Sequence, residues 1–356
     1  MDLWLAAQQG HERDVEDLIP RARDEARYDA LKVAVYNDHV ATTAALLSCT
    51  SLRRLHDDTL SIVDLAAQWG SVRVLGMVLA RDSCPYLLDA RRDKYLDTQT
   101  ADLTPLGYAA QSGHLGAVQL LVACRARVND LDVDDETALV RAVKNNQLST
   151  MRFLLESGAT MRTAGTDSVR VVAGRRWYAD TPLVLAAERD YTDAALLLLK
   201  HGADVDAPQL TGGLTPLQTA CKVGGTGRYA MAKLLLAHGA DVRKIDDARR
   251  RTALCWATVT GDARLVKMLV RHKASLHHVD GDQCTPLAIA ARLGRMDVAL
   301  VLLKCRADVR RGCTDGRTPL QIAHEHGNYR LARLFAAATG EPYEVDPAMP
   351  DGLHQS

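Results

Sequence analysis

Histidine and cysteine are among the residue types in this chain that could hold a metal ion or take part in catalysis. His324-Glu325-His326 places two histidines two positions apart, whereas a metal-binding pair on one helical face needs an i, i+4 spacing. A second group is close together along the chain: His272, His277, His278 and Cys284. Solvated loop histidines are the favoured interpretation of this group, and a converging metal site is the alternative. We predict no metal site and no cofactor.

Other patterns that could support catalysis are incomplete. Gly224-Gly225-Thr226-Gly227 is not followed by Lys-Ser or Lys-Thr, so it predicts a lengthened turn and not a phosphate-binding loop. Cys255 and Cys305 have no histidine at a spacing that would mark a nucleophile, and we predict that both pack on helices. The eight cysteines lack any Cys-x-x-Cys spacing. We therefore predict reduced, mostly packed thiols, neither disulfides nor zinc ligands, and no enzyme activity.

The composition excludes several classes of protein. Hydrophobic residues make up 47% of the chain and charged residues 25%, as in a folded domain. Since 44 basic residues balance 44 acidic ones, no global field attracts nucleic acid or a membrane. No apolar run approaches the ~18 residues that span a bilayer, and the first residues lack the form of a signal peptide. We expect an intracellular protein, in the cytoplasm or nucleus, that is monomeric alone.

The elements that position these residues follow from an internal repeat built on Thr-Pro-Leu. Complete copies begin at Thr104, Thr181, Thr215, Thr285 and Thr318, and degenerate copies begin at Thr137 and Thr252. The steps between successive copies are 33, 44, 34, 37, 33 and 33 residues, so the period is 33 with two expansions. A fixed period of this length predicts a stack of small units.

Each unit can be interpreted from the copy at residues 181–207. Thr181 is predicted to be a helix N-cap, with Pro182 at the first helical position. A short first helix is followed by a more hydrophobic second helix over 194–199, which ends near Gly202 in a left-handed cap. A helix pair this small cannot cover its own apolar faces, so neighbouring pairs must stack. The predicted fold class is an all-α solenoid.

These motifs resemble those of ankyrin-repeat proteins. The resemblance rests on Thr-Pro-Leu-x-x-Ala-Ala, on Gly113-His114 before a second helix, and on Gly202-Ala203-Asp204-Val205 and Gly239-Ala240-Asp241-Val242 after one. It implies about ten repeats over residues 1–340, with weak repeats in 1–80 and expanded loops near 82–103 and 161–180. The tail at 341–356 fits no further repeat, and we expect it to be disordered.

The chain also departs from the family pattern. The histidine that usually follows Thr-Pro-Leu is absent from every copy, so we expect a weaker polar network between repeats. Three glycines that would end second helices are replaced by Arg125, Lys273 and Arg306, each at a cost of about 1 kcal/mol if the left-handed geometry is kept. The run Arg249–Arg251 lies beside Asp246 and Asp247, and we predict a solvated charge cluster there.

The resemblance implies protein binding through hairpin tips and the concave face formed by the first helices. Counting from the Ala-Ala phase assigns to that face Gln68 and Trp69, Gln111 and Ser112, Lys144 and Asn145, Glu188 and Arg189, Lys222 and Val223, and Arg292 and Leu293. Trp69 is the large aromatic residue among them, and tryptophan is enriched at binding hot spots. Packing of Trp69 against the expanded loop behind it is the alternative.

The expansion at 161–180 is the preferred binding site. It contains Arg170, Arg175, Arg176, Trp177 and Tyr178, and arginine beside aromatic residues is typical of protein-binding anchors. A purely structural hairpin that includes Ser168–Val172 is the alternative. The family resemblance further implies that Asn129 is a candidate for hydroxylation by oxygen-dependent asparaginyl hydroxylases.

The predicted function is a non-enzymatic scaffold or adaptor that binds a partner protein. A structural subunit of a large cytoskeletal or ciliary assembly is the alternative. The sequence does not identify the partner.

Overall fold

The computed structural model describes residues 2–49, 62–81, 103–132, 134, 136–161, 170–172, 175–177, 181–209, 212–223 and 228–343. Twenty α-helices in these ranges follow one another as ten successive pairs. The chain divides into two compact units, residues 1–182 and 183–356. None of the helices in these ranges is long and apolar enough to cross a membrane. The predicted fold class of stacked helix pairs is confirmed.

The first unit contains five helix pairs. Its first helices are α1 (Leu3–Gln9), α3 (Asp24–Tyr36), α5 (Ile62–Trp69), α7 (Pro105–Ser112) and α9 (Ala138–Lys144). Its second helices are α2 (Glu12–Leu18), α4 (Val40–Cys49), α6 (Val72–Arg81), α8 (Leu115–Ala123) and α10 (Leu148–Glu156), and a single 3₁₀ turn covers Ile19–Arg21. First helices pack on first helices and second helices on second helices, in chain order.

The second unit repeats this arrangement. Its helices are α11 (Pro182–Arg189), which begins at the last residue of the first unit, α12 (Thr192–Lys200), α13 (Pro216–Val223), α14 (Arg228–Ala237), α15 (Ala253–Thr260), α16 (Ala263–Arg271), α17 (Pro286–Arg292), α18 (Met296–Lys304), α19 (Pro319–Glu325) and α20 (Tyr329–Thr339). Helices α13, α15, α17 and α19 pack in that order, as do α12, α14, α16, α18 and α20.

The expansion at 161–180 contains a two-stranded antiparallel sheet. Strand β1 (Arg170–Val172) pairs with β2 (Arg175–Trp177). Arg170 is opposite Trp177, and Val172 is opposite Arg175. The backbone therefore forms the hairpin that the sequence offered as an alternative, within an otherwise helical fold.

Threonine caps begin the first helices, as the Thr-Pro-Leu motif predicts. The Thr104 hydroxyl accepts a hydrogen bond of 2.8 Å from the backbone N–H of Gly107, and Thr252 and Thr285 cap α15 and α17 in the same way. Thr318 forms a full capping box with Gln321. Each cap satisfies a backbone donor that the first helical turn leaves without a partner.

The ends of the second helices keep left-handed geometry even where glycine is replaced. The φ angles of Arg125, Lys273 and Arg306 are 69°, 66° and 67°. The glycine at the equivalent position of another repeat, Gly239, has a φ of 88°. The stacked loops therefore require this conformation whichever side chain is present, and a non-glycine residue there is strained.

Side chains at or just before the start of a second helix join several repeats to the preceding one. Asn328 donates a hydrogen bond of 2.8 Å to the Ala291 carbonyl at the end of α17, and Arg228 donates one of 2.6 Å to the Ala187 carbonyl. His39 similarly contacts the Gln8 carbonyl at 3.1 Å. These bonds satisfy carbonyls that helix ends leave unpaired.

Gln218, at the position of the missing family histidine, also forms an inter-repeat bridge. Its Nε2 donates to the carbonyls of Lys244 at 2.7 Å and Arg251 at 3.1 Å, and its Oε1 accepts a bond from the Thr215 N–H at 2.8 Å. The prediction of a weaker polar network between repeats is therefore wrong at this position, because the side-chain amide of Gln218 supplies both a donor and an acceptor.

The prediction of reduced cysteines is wrong for Cys284 and Cys313, which form a disulfide with a Cα–Cα distance of 4.2 Å. The two residues pair as an antiparallel bridge between loops of adjacent repeats, so stacking joins cysteines 29 positions apart in sequence. Cys221 and Cys255 are buried free thiols, as predicted. Cys305 follows the end of α18 and is half-buried, so its predicted place on a helix is wrong.

Candidate protein-binding surface

An aromatic pair lies at the ends of two neighbouring first helices in the first unit. Tyr36 ends α3 and Trp69 ends α5, and their ring centroids are 5.5 Å apart in an edge-to-face arrangement with an interplanar angle of 82°. The Tyr36 side chain is 63% exposed, whereas Trp69 is half-buried. Among the described residues, Trp69 thus packs on Tyr36. Most of the expanded loop near 82–103 lies outside the described residues.

Helix α3 extends this surface beyond the aromatic pair. It has 13 residues, against seven or eight in the other first helices of the unit. Tyr28, Lys32 and Tyr36 are spaced four apart and therefore share one helical face. The Lys32 ammonium lies 4.0 Å from the Tyr28 ring centroid, in cation–π geometry. We call Tyr28, Lys32, Tyr36 and Trp69 the aromatic face.

Tyr36 was missed in the sequence because the repeat phase is counted from Ala-Ala pairs. In this weak N-terminal repeat the pair is replaced by Ala34-Val35. The buried Ala34 and Val35 show that the phase is nevertheless kept, so aligning the repeat by buried positions would have found the tyrosine.

Lys144 is held in an ion-pair network. It pairs with Glu136, which also lies 3.1 Å from Arg141 Nε. Arg141 donates hydrogen bonds of 2.8 Å to Asp132 and 2.6 Å to Asp134. Burial alone would lower the pKa of Arg141, but these two hydrogen bonds raise it above its ordinary value. Lys144 is therefore less available to a partner than a solvated lysine would be.

The other predicted site residues are dispersed. Gln111 is half-buried in α7, and Arg189 is exposed at the end of α11 in the second unit. Arg170, Arg175, Arg176 and Trp177 occupy the hairpin at the backbone positions given above. Tyr178 lies outside the described residues.

Asn129 is exposed and bound at both ends of its amide. Its Oδ1 accepts a hydrogen bond of 2.8 Å from the Thr160 N–H, and its Nδ2 donates one of 3.1 Å to the Gly158 carbonyl. The side chain thus ties one turn to the turn of the next repeat.

The second unit contains a tryptophan site that the sequence analysis missed. Trp256 is 8% exposed, and its Nε1 donates a hydrogen bond of 2.8 Å to the buried Asp246. The Arg251 guanidinium lies 4.9 Å and the Lys222 ammonium 5.4 Å from the ring centroid. Because so little of Trp256 is exposed, its ring packs beneath neighbouring side chains and offers little contact area to a partner protein. Arg251 and Asp246 are buried, so the predicted solvated cluster is wrong for both.

The histidine groups are engaged in other contacts. His324 Nδ1 lies 2.9 Å from the Tyr343 hydroxyl, His272 Nδ1 lies 2.9 Å from the Met268 carbonyl, and Cys284 is in the disulfide. In the ranges that the structure covers, no group of three or more histidine, cysteine, aspartate or glutamate residues could hold a metal ion.

Comparison with known proteins identifies the family. The family model described as "Ankyrin repeats (3 copies)" matches residues 77–164, 168–246, 227–313 and 254–346. The chain belongs to the ankyrin-repeat family. These matches begin at residue 77, so the total of about ten repeats stays a prediction.

Three ankyrin-containing relatives show how widely these repeats occur. The chain is 27% identical to the Ankyrin repeat and KH domain-containing protein mask-1 of Caenorhabditis elegans, over 73% of this chain and 9% of that protein. It is 32% identical to the B-cell lymphoma 3 protein homolog of Mus musculus, over 55% and 41%. It is 28% identical to Palmitoyltransferase AKR1 of Lachancea kluyveri, over 64% and 30%. The chain thus spans less than half the length of each of these relatives.

Ankyrin repeats generally mediate protein–protein interaction and are typically non-enzymatic. The name Palmitoyltransferase AKR1 describes an activity of that relative. The region similar to this chain covers 30% of that protein.

Proposed function

We propose that this ankyrin stack is a non-enzymatic intracellular scaffold or adaptor, monomeric alone, and that it binds a partner protein through the aromatic face. The observation that carries the proposal is the exposure of Tyr36, 63%, directly beside Trp69. Tyrosine and tryptophan supply large contact areas with few rotatable bonds, which is why they dominate binding hot spots.

The chemistry of the face favours a partner with both apolar and acidic groups. Two aromatic rings at neighbouring helix ends offer an apolar contact. Lys32 places a positive charge one helical turn away, and an acidic group of the partner would compete there with Asp29, which lies 3.8 Å from the Lys32 ammonium. The ring edges and the Tyr36 hydroxyl can also form polar contacts at the rim. Such a mixed surface is typical of exchangeable protein interfaces.

The hairpin residues Arg170, Arg175, Arg176, Trp177 and Tyr178 remain a second part of the proposed surface. Arginine and tryptophan opposite each other at Arg170 and Trp177 form a combination common in protein anchors. Gln111 and Arg189 are further candidate contacts. Lys144 could join them only by leaving Glu136.

Asn129 is proposed as a hydroxylation site that reacts only when its turn opens. The bonds to Thr160 and Gly158 hold both ends of the amide, so an enzyme would have to break them to reach the side chain. Mass spectrometry of the protein from native cells tests this, and an unmodified Asn129 in all of the recovered protein would contradict it.

The binding proposal is tested by affinity purification from native cells. The intact chain is compared with Tyr36→Ala/Trp69→Ala, with a hairpin variant in which Arg175, Arg176, Trp177 and Tyr178 become alanine, and with Tyr229→Ala as control. Tyr229 is also exposed, at 38%, but lies on α14 in the second unit. Circular dichroism establishes that each variant is folded.

We expect one protein to be retained by the intact chain and the control and lost from the aromatic-face variant. Loss from the hairpin variant alone would move the site to the hairpin. Equal recovery by all four would overturn both proposed sites. A chain recovered only in an insoluble assembly would instead support a permanent structural subunit.

A further inference from the structure

We infer that one edge of the second unit, formed by turns of three consecutive repeats, binds an extended acidic segment of another protein. The turns carry Arg243 and Lys244, then His277 and His278, then Arg310 and Arg311. We call these six residues the basic edge. It belongs to the second unit, whereas the aromatic face belongs to the first, so the inference does not depend on the function proposed above.

The three turns have the same geometry, which places the basic residues at equivalent positions. The side chains of Asp241 and Asp308 each accept a hydrogen bond of 2.9 Å from the backbone N–H two residues later, at Arg243 and Arg310. Ser275 contacts the N–H of His277 in the same way at 3.4 Å. The three turns therefore recur along the stack with the same backbone geometry. We call each of them, with its pair of basic-edge residues, a rung.

The rungs are adjacent because their loops are bonded to one another and to the preceding repeats. The Gly281 N–H donates to the Arg249 carbonyl at 2.7 Å, and Thr285 Oγ1 donates to the Arg311 carbonyl at 3.0 Å. His278 Nε2 lies 2.6 Å from the Arg250 carbonyl. The second helices that precede the rungs, α14, α16 and α18, pack in sequence.

At the equivalent position in other repeats the side chain has a structural role. Asn129 accepts a hydrogen bond from Thr160 of the next repeat, and Asp206 accepts one of 3.0 Å from the Asp241 N–H. Arginine at Arg243 and Arg310 cannot accept such a bond. Arginine at these two positions thus removes a stabilising contact and leaves an exposed positive charge.

Five of the six basic-edge side chains are exposed, and acidic groups lie near some of them. The positive charge of Lys244 counteracts the rise that burial causes in the pKa of Asp206, and Asp241 and Asp308 lie in the same turns as Arg243 and Arg310. Arg243, Lys244, His277, Arg310 and Arg311 are exposed, and none of the four arginines and lysines forms an ion pair within 4.0 Å in the part of the chain that the structure describes. Residues 183–356 hold 23 basic against 19 acidic residues, and residues 1–182 hold 21 against 25. The whole chain has no net charge, but basic residues outnumber acidic ones in the second unit.

The spacing of the rungs fits an extended peptide. Packed helices lie about 8–10 Å apart, and an extended chain advances about 3.3 Å per residue, so acidic groups at every third residue meet successive rungs. Single-stranded nucleic acid is less well matched, because its binding sites combine cations with stacking aromatic residues. Residues 239–251, 273–284 and 306–317 contain no phenylalanine, tyrosine or tryptophan.

The test measures fluorescence anisotropy of a labelled (Glu-Glu-Gly)₄ peptide with the full chain at about 50 mM NaCl, where exposed charges are weakly screened. The disruptive variant is Arg243→Glu/Lys244→Glu/Arg310→Glu/Arg311→Glu. The matched control is Lys233→Glu/Lys267→Glu/Arg330→Glu/Arg333→Glu, which reverses four exposed charges on second helices of the same unit. Circular dichroism establishes that both variants are folded.

We expect the intact chain and the control to bind the peptide, and the basic-edge variant to bind at least tenfold more weakly. Absence of binding by the intact chain, or an equal loss in both variants, would overturn the inference. Twenty-nucleotide oligothymidylate and vesicles of phosphatidylcholine with phosphatidylserine are titrated in parallel. If either binds more tightly than the peptide and depends on the same four residues, the partner class is wrong.

Discussion

The Nε of Arg251 lies 3.0 Å from Oδ2 of Asp280, and this ion pair joins two adjacent repeats. Both side chains are buried, with exposed fractions of 6% and 0%. Arg251 also donates a hydrogen bond of 2.9 Å to Asp282. A hydrogen bond from Arg292 holds the pKa of Asp282 below its usual value. Arg251 thus balances the negative charges of Asp280 and Asp282 where the turns of two adjacent repeats meet.

Arg251→Ala should lower the free energy of unfolding by about 3–5 kcal/mol, because Asp280 would stay buried without its charged partner. Arg317 occupies the same position in a later repeat, before Thr318, but its partners Asp315 and Glu325 are about half-exposed. Arg317→Ala should therefore have no measurable effect. Urea unfolding followed by circular dichroism compares the two, and equal losses would contradict the role of burial.

Replacing a strained residue by glycine at the end of a second helix should stabilise the protein. Arg125→Gly, Lys273→Gly and Arg306→Gly should each raise the free energy of unfolding by about 0.5–1 kcal/mol. Glycine adopts positive φ without steric cost, and this gain exceeds the lost charge at the helix end and the greater entropy of glycine in the unfolded chain. Thermal and urea unfolding give the change.

The reverse substitution provides the control for this prediction. Gly239 has a φ of 88°, and a Cβ added there would meet no atom within 4 Å. Gly239→Lys should therefore cost about 1 kcal/mol through backbone conformation alone. A destabilising Lys273→Gly together with a neutral Gly239→Lys would show that φ does not control stability at these positions.

The free cysteines should differ strongly in reactivity. Burial raises the pKa of Cys221 to about 12 and also raises that of Cys255, whereas Cys124 is exposed. The thiolate is the reactive species, so iodoacetamide at about pH 8 should label Cys124 in the folded protein and label Cys221 and Cys255 only after unfolding. Peptide mass spectrometry measures each site, and rapid labelling of Cys221 in the folded chain would contradict the prediction.

The Cys284–Cys313 disulfide should survive purification without reductant and stabilise the last repeats. Tryptic digestion should release residues 274–292 linked to residues 312–317, and the linked species should disappear on reduction. Closing a loop of this size contributes about 3–4 kcal/mol in the chain-entropy model. Reductant should therefore lower the unfolding temperature of the intact chain but leave a Cys284→Ser/Cys313→Ser variant unchanged. Equal responses of the two proteins would contradict a stabilising disulfide.

The sequence determined the features that depend on neighbours along the chain. Thr104 and Thr318 cap helices because their hydroxyls reach N–H groups three residues away. The 33-residue period predicted the stacked pairs, since each pair must bury its apolar faces on the next. It also marked Arg125 as a left-handed residue, because the period aligns it with glycines.

Only the tertiary structure decided which side chains meet between repeats. Arg251 and Arg317 precede the same motif, yet Arg251 is buried against Asp280 and Arg317 is about half-exposed. Tyr36 meets Trp69, and Cys284 meets Cys313, because stacking brings together residues about one period apart. A periodic pattern reports which positions are buried, but the pairing of loop side chains depends on how adjacent turns face each other in space.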